Sequence, residues 1–248
     1  MRLAEKQVEW NPMELSENEA HVWSFKTSDF HELDYLELLS QDELERRNRF
    51  KFEKDRKVYV LARGLLRVLS RGYLQINSIQ INFSYNEFGK PYYSHFTPLR
   101  FNISHSGDSI VIAFTNTGEV GVDVERIKND FEVVKIAEGF FSSDEISSLL
   151  VFPEEKRAQV FFNCWTRKEA FIKAKGVGLS FDLTSFSVSI ADKAPELLRT
   201  QWDSKEKNTW KLFSFNNLVG YCMALCVPVS VQKVSCFGLK DLNDSFKD

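Results

Sequence analysis

Two stretches about 100 residues apart run through the same order of elements, and this recurrence constrains the fold more than any other property of the chain. A first helix is predicted from Asp55, as its cap, to about Gly72, because Val58, Leu61, Ala62, Leu65, Val68 and Leu69 recur at three- and four-residue spacing. SIQINFSY (78–85) follows as an alternating strand, NEFGKP (86–91) as a turn and SIVIAFT (109–115) as an apolar strand. A second helix over Glu155 to Lys175 then stops at Gly176, and SFSVSI (185–190) and YCMALCV (221–227) repeat the two strands. Two similar α+β halves are expected, divided near NTGEV at 116–120, where no low-complexity linker lies. That order of elements is shared by unrelated α+β proteins, so function has to be read from particular residues.

The residues that stand out are EVGVDVERI, 119–127. In a strand Asp123 and Glu125 project from one face while Val122 and Val124 face the other way. Two like charges side by side repel, so such a pair needs a cation, basic partners or exposure to water. The second helix supplies a third acid. Its apolar stripe of Ala158, Phe161, Phe162, Trp165 and Ile172 also contains Glu169, and an inward acid is costly unless something pairs with it. Lys173, four residues on, makes an ordinary helix pair one explanation. The other is that Asp123, Glu125 and Glu169 act together, since several hard oxygen ligands suit Mg²⁺, which keeps waters and leaves room for substrate phosphates.

Donors for a phosphate occur in two places. FNISHSGD (101–108) carries Ser104, His105 and Ser106, and EFGKP (87–91) sets Lys90 in turn chemistry between Gly89 and Pro91. Arg56, Arg63, Arg67 and Arg71 fall mostly opposite the apolar stripe of the first helix, where a solvated basic face is the ordinary expectation. Ser142 with Glu145 reads as a capping box, and Gly176 with Gly178 as a helix stop rather than a nucleotide fingerprint.

The 248 residues carry a net charge of −3, so no general attraction to nucleic acid or anionic membrane is expected and any anion site must be local. MRLAEKQVEW lacks the apolar core of a secretory signal, LVGYCMALCVPV is too short to span a bilayer, and a cytoplasmic protein is expected. The four cysteines (Cys164, Cys222, Cys226, Cys236) form no CxxC pairs and are expected to be buried thiols. An acid pair with a lysine would also serve a metal-dependent nuclease, although no basic run supports nucleic-acid binding. A non-catalytic binding protein that keeps the fold is a third reading.

NISHS, GVDVE and WTRKEAFIKAKGVGLS, in that order and preceded by the FGKP turn, resemble the 4′-phosphopantetheinyl transferase superfamily, and the chain length resembles its single-chain, two-lobed, Sfp-type group. The resemblance covers roughly residues 43–190. It implies an α+β fold of two similar lobes related by a pseudo-twofold axis, with residues 1–118 forming the lobe that binds coenzyme A and 119–248 the lobe with the metal site and catalytic helix. It implies transfer of 4′-phosphopantetheine from coenzyme A to a serine of an acyl or peptidyl carrier protein, releasing adenosine 3′,5′-bisphosphate. Asp123, Glu125 and Glu169 match the family's Mg²⁺ ligands, Glu169 the base and Lys173 a phosphate contact. Lys90, Pro91, Ser104 and His105 match its coenzyme A residues, and Arg46 of RRNRFKF its basic residue ahead of the first helix, with Arg47 and Arg49 close enough to substitute. A chain carrying both lobes is expected to act as a monomer. The carrier and its pathway are not readable from one chain.

Overall fold

The computed structural model describes residues 13–178, 180–191 and 194–244; MRLAEKQVEW and Leu179 lie outside them. In the first half, β1 (Glu19–Lys26) leads through α1 (Leu33–Leu36) and α2 (Gln41–Asn48) to the 22-residue α3 (Glu53–Leu74). A short hairpin of β2 (Phe83–Tyr85) and β3 (Pro91–Tyr93) and a longer one of β4 (Arg100–Ser106) and β5 (Ser109–Thr115) follow. The second half begins with β6 (Gly121–Arg126), α4 (Val133–Phe140), α5 (Ser143–Leu150) and a second 22-residue helix, α6 (Glu154–Lys175). It continues with the paired β7 (Phe186–Val188) and β8 (Leu197–Thr200), and the hairpin of β9 (Trp210–Phe215) and β10 (Tyr221–Pro228). The pairing repeats as well. The last strand of each half lies between the first strand and its own hairpin partner, giving the orders β1-β5-β4 and β6-β10-β9. The α+β chain is thus two lobes of one topology. Finally β11 (Lys233–Phe237) returns to pair in parallel with β1, and α7 (Leu239–Asp244) follows it.

Period-two alternation sets the layers. On β5, Ile110, Ile112 and Phe114 join Leu61, Leu65 and Leu69 of α3, while Val111 and Ala113 face Val122, Val124, Met223 and Leu225 of the second sheet. Cys222, Ala224 and Cys226 of β10 turn instead toward α6. Two sheets therefore share an apolar layer, and a long helix covers the outer face of each.

The helices, the turn at NEFGKP and the strands over 109–115 and 221–227 form where the periodicity places them, with differences that have local causes. The first long helix starts at Glu53 after an extended Phe52, so Asp55 lies in its first turn, where its charge favours the helix dipole, and does not cap it. SIQINFSY divides, because the Asn77 side chain accepts from the Ile79 amide and closes a 3₁₀ turn over 78–80, leaving only Phe83–Tyr85 as strand. Arg63 and Arg67 are not a solvated face. They are 5% and 2% exposed and clasp Glu43, delivered by α2 and itself 1% exposed, at 2.5 and 2.8 Å. Three cysteines are buried thiols, but Cys236 on the edge strand β11 is exposed.

α6 is buried almost all round, so its polar residues need internal partners. Lys168, fully buried, donates to both Glu145 oxygens at 2.7 and 2.8 Å and to the Phe186 carbonyl at 2.8 Å. Glu145 also accepts the amides of Ser142 and Val188, so the capping box at 142–145 doubles as the anchor for α6. Glu145→Ala is expected to destabilise the protein by about 3–5 kcal/mol, because it leaves a buried ammonium unpaired. A loss below about 1 kcal/mol in urea unfolding would refute that account.

Candidate active site

The site forms where β6 crosses α6. Gly121 has no side chain there, and a Cβ built on it would overlap the Ala170 carbonyl oxygen and the Ala174 amide nitrogen, so the two backbones touch. That contact sets Glu169 and Lys173 of α6 beside Asp123 and Glu125 of β6. As the alternation predicts, Val122 and Val124 enter the apolar layer between the sheets and the two acids do not.

Lys173 does not make the ordinary helix pair with Glu169. Its ammonium donates to Asp123 Oδ1 at 2.6 Å and to Ser104 Oγ at 3.0 Å, and Ser104 in turn donates to the same carboxylate oxygen at 2.8 Å. Ser106 Oγ donates to Glu125 Oε2 at 2.7 Å. Two carboxylate oxygens are left over: Asp123 Oδ2 and Glu169 Oε1 are buried and accept no hydrogen bond. Burial first, then the Asp123 carboxylate, pushes the pKa of Glu169 up to about 7, against the opposing pull of Lys173. Burial and Asp123 likewise raise that of Glu125. No three acidic, imidazole or thiol groups among the described residues are gathered as a ready-made metal cage. The fit to a divalent cation rests on the donor set: three carboxylates facing one ammonium, with two buried acceptor oxygens unsatisfied.

The other expected residues divide between this cluster and its surroundings. Ser104 belongs to it. His105, next along β4, points to the opposite face of the strand and is exposed. Lys90 donates to Glu119 at 2.6 Å and to the carbonyls of Val120 and Ala174 at 3.2 Å, so it ties the first lobe to the last turn of α6. Pro91 opens β3 opposite Tyr85. The turn before it is held by Asn86, whose Oδ1 accepts the amides of Phe88 and Lys90 and whose Nδ2 donates to the carbonyl of Gly176, the left-handed C-cap of α6. Arg46, on α2, lies over the Tyr85 ring at 5.7 Å, in a separate group with Arg63. Sequence reasoning missed Gly121, and it offered Ser106 as a phosphate donor where the structure sets its hydroxyl on Glu125. The alternate polar residues of NISHS and the glycine beginning GVDVE were the available signals.

A model of the 4′-phosphopantetheinyl transferase superfamily matches residues 119–226, and one for the N-terminal part of 4′-phosphopantetheinyl transferase matches residues 21–117. The chain is 32% identical over 191 residues to the 4′-phosphopantetheinyl transferase HetI of Nostoc sp., spanning 75% of this chain and 80% of that one. It is 34% identical over 193 residues to the 4′-phosphopantetheinyl transferase Sfp of Bacillus subtilis, spanning 77% and 83%. It is 38% identical over 188 residues to the 4′-phosphopantetheinyl transferase psf-1 of Bacillus pumilus, spanning 75% and 78%.

Proposed function

This chain belongs to the 4′-phosphopantetheinyl transferase superfamily, and on that premise we propose that it moves the 4′-phosphopantetheine group of coenzyme A onto a serine of an apo acyl or peptidyl carrier protein, releasing adenosine 3′,5′-bisphosphate. Asp123, Glu125 and Glu169 would hold Mg²⁺, and the observation that carries this reading is the pair of buried, unsatisfied oxygens on Asp123 and Glu169. When bound, the ion supplies positive charge to the pyrophosphate and to the leaving bisphosphate. Glu169 takes the proton of the serine hydroxyl as that oxygen bonds to phosphorus and the bond from phosphorus to the leaving bisphosphate breaks. Lys173 exchanges its contact with Asp123 for the phosphates and stabilises the departing group.

Residues 1–118 carry the coenzyme A contacts, through Arg46, Lys90, Pro91, Ser104 and His105, and residues 119–248 carry the acids. The protein works as a cytoplasmic monomer with no nucleic-acid or membrane partner; among the described residues no helix is long and apolar enough to cross a membrane. Intact-mass measurement of an apo carrier protein incubated with coenzyme A and Mg²⁺ tests the reading. A gain of one phosphopantetheine, lost with EDTA and with Asp123→Asn, is expected. No gain across several acyl and peptidyl carriers with folded enzyme would overturn it.

A further inference from the structure

β4 and β6 each lie at one edge of their sheets, and they meet across the boundary between the lobes. An edge strand carries outward amides that need partners. Here side chains supply them in strict register. Asn102 Oδ1 accepts from the Val122 amide at 2.9 Å, Ser104 Oγ from Val124 at 3.3 Å and Ser106 Oγ from Arg126 at 3.1 Å. Alternate residues of one strand thus serve alternate residues of the other, always twenty positions apart.

Two of these rungs do a second job. Each serine hydroxyl that accepts an amide also donates to the carboxylate one residue earlier on β6: Ser104 to Asp123 at 2.8 Å and Ser106 to Glu125 at 2.7 Å. A hydroxyl has one proton, so accepting from the backbone directs it toward the acid. The third rung faces Gly121, which has no side chain to receive a proton. Glu125 is only half buried, and Ser106 is the hydrogen-bond donor the structure shows on it. Ser104 differs, because Lys173 shares its oxygen.

We propose that Ser106 is a positioning residue: held by the Arg126 amide, its hydroxyl fixes the Glu125 carboxylate for the metal, so one lobe sets the ligand geometry of the other. This rests on the metal-site reading above. Partners that orient a ligating group are typically worth about 10–100-fold in metal affinity, and for one half-buried hydroxyl the lower end applies.

The test is uptake of Mn²⁺, followed by loss of the free-ion electron paramagnetic resonance signal with and without coenzyme A, for wild type, Ser106→Ala and Ser106→Thr. Ser106→Ala is expected to bind Mn²⁺ about tenfold more weakly, to need correspondingly more Mg²⁺ for half-maximal transfer and to keep kcat at saturating Mg²⁺ within about twofold. Ser106→Thr, which retains the hydroxyl, is expected to restore wild-type affinity. Equal Mn²⁺ affinity in wild type and Ser106→Ala would overturn the proposal alone. A fall in kcat that saturating Mg²⁺ does not repair, with a lowered melting temperature, would overturn it in favour of a purely structural rung. Absence of Mn²⁺ uptake by wild type under both conditions would remove the metal-site reading and this inference together.

Discussion

Glu169→Gln is expected to reduce phosphopantetheine transfer by at least about 10³-fold while making the metal-free protein more stable, and the two effects have one cause. The carboxylate sits 6% exposed beside Asp123 and Glu125, and these surroundings raise its pKa from 4.5 to about 7. The folded state therefore holds this proton more tightly than the unfolded chain does. Below about pH 4.5 the group is protonated in both states and costs nothing. Between about pH 4.5 and 7 the unfolded chain releases this proton while the native state, where burial and its neighbours disfavour the charge, keeps it, so stability falls, by about 3 kcal/mol in all once both states are ionised. The amide carries no charge, so Glu169→Gln removes that loss. In metal-free buffer with EDTA at pH 8 the variant should melt higher by something on the order of 5–10 °C, and at pH 4.5 the difference should nearly vanish. Saturating Mg²⁺ with coenzyme A should reverse the order, because the wild type, with all three ligands, gains more from binding. For transfer, the variant loses a base and a ligand together, and general-base contributions alone reach about 10²–10⁴-fold. A Glu169→Gln protein that melts lower than wild type at pH 8 without metal would contradict the environment assigned to this acid. One that retains transfer above a hundredth of wild type would remove it from the chemistry.

The parts of the molecule that were legible in the sequence follow from periodicity. Both long helices, the left-handed stop at Gly176 and the opposed faces of Val122 and Asp123 depend on repeats of 3.6 and 2 that local sequence carries. What was not legible depends on meetings between distant segments. Nothing near Arg63 or Arg67 announces that Glu43 will reach them from another helix, so both read as surface residues although they are buried. Lys168 likewise looks like one more charge in a run of three, Arg167 to Glu169, until Glu145 is folded against it. The same limit applies at the site. Spacing alone paired Glu169 with Lys173, but a strand from the same lobe and a serine from the other compete for that ammonium and hold it. Ser106 and Gly121 acquire their roles only when β6 has a neighbour on each side.

Gly121→Ala is expected to have the largest effect of any single methyl group added to this protein. The backbone at Gly121 is not in the left-handed region, so an alanine would meet no conformational obstacle in an isolated strand, where glycine is in fact the poorer residue. The obstacle is the helix. The added Cβ would overlap the carbonyl oxygen of Ala170 and the amide of Ala174 and stand 3.0 Å from the Ala174 Cα. All three are backbone atoms in the C-terminal turns of α6, so no side chain can rotate away. Strand and helix must move apart, and that opens the packing of Ala170, Ala174, Ala224 and Cys226 behind them. A cost of about 3 kcal/mol or more is expected, at the upper end for overpacking because rigid elements oppose each other. The same displacement draws Asp123 and Glu125 away from Glu169 and Lys173. Misplacement by about 1 Å can cost about 100-fold in rate, so any folded fraction should be correspondingly inactive. Gly139→Ala is the control, since it lies on the exposed side of helix α4 with nothing within 4 Å of its added Cβ, and helix propensity predicts a neutral or stabilising change of up to about 1 kcal/mol. Urea unfolding of both variants alongside wild type separates the cases. A Gly121→Ala protein as stable as wild type would mean that β6 and α6 do not touch as described, and the placement of the acids beside Glu169 would fail with it.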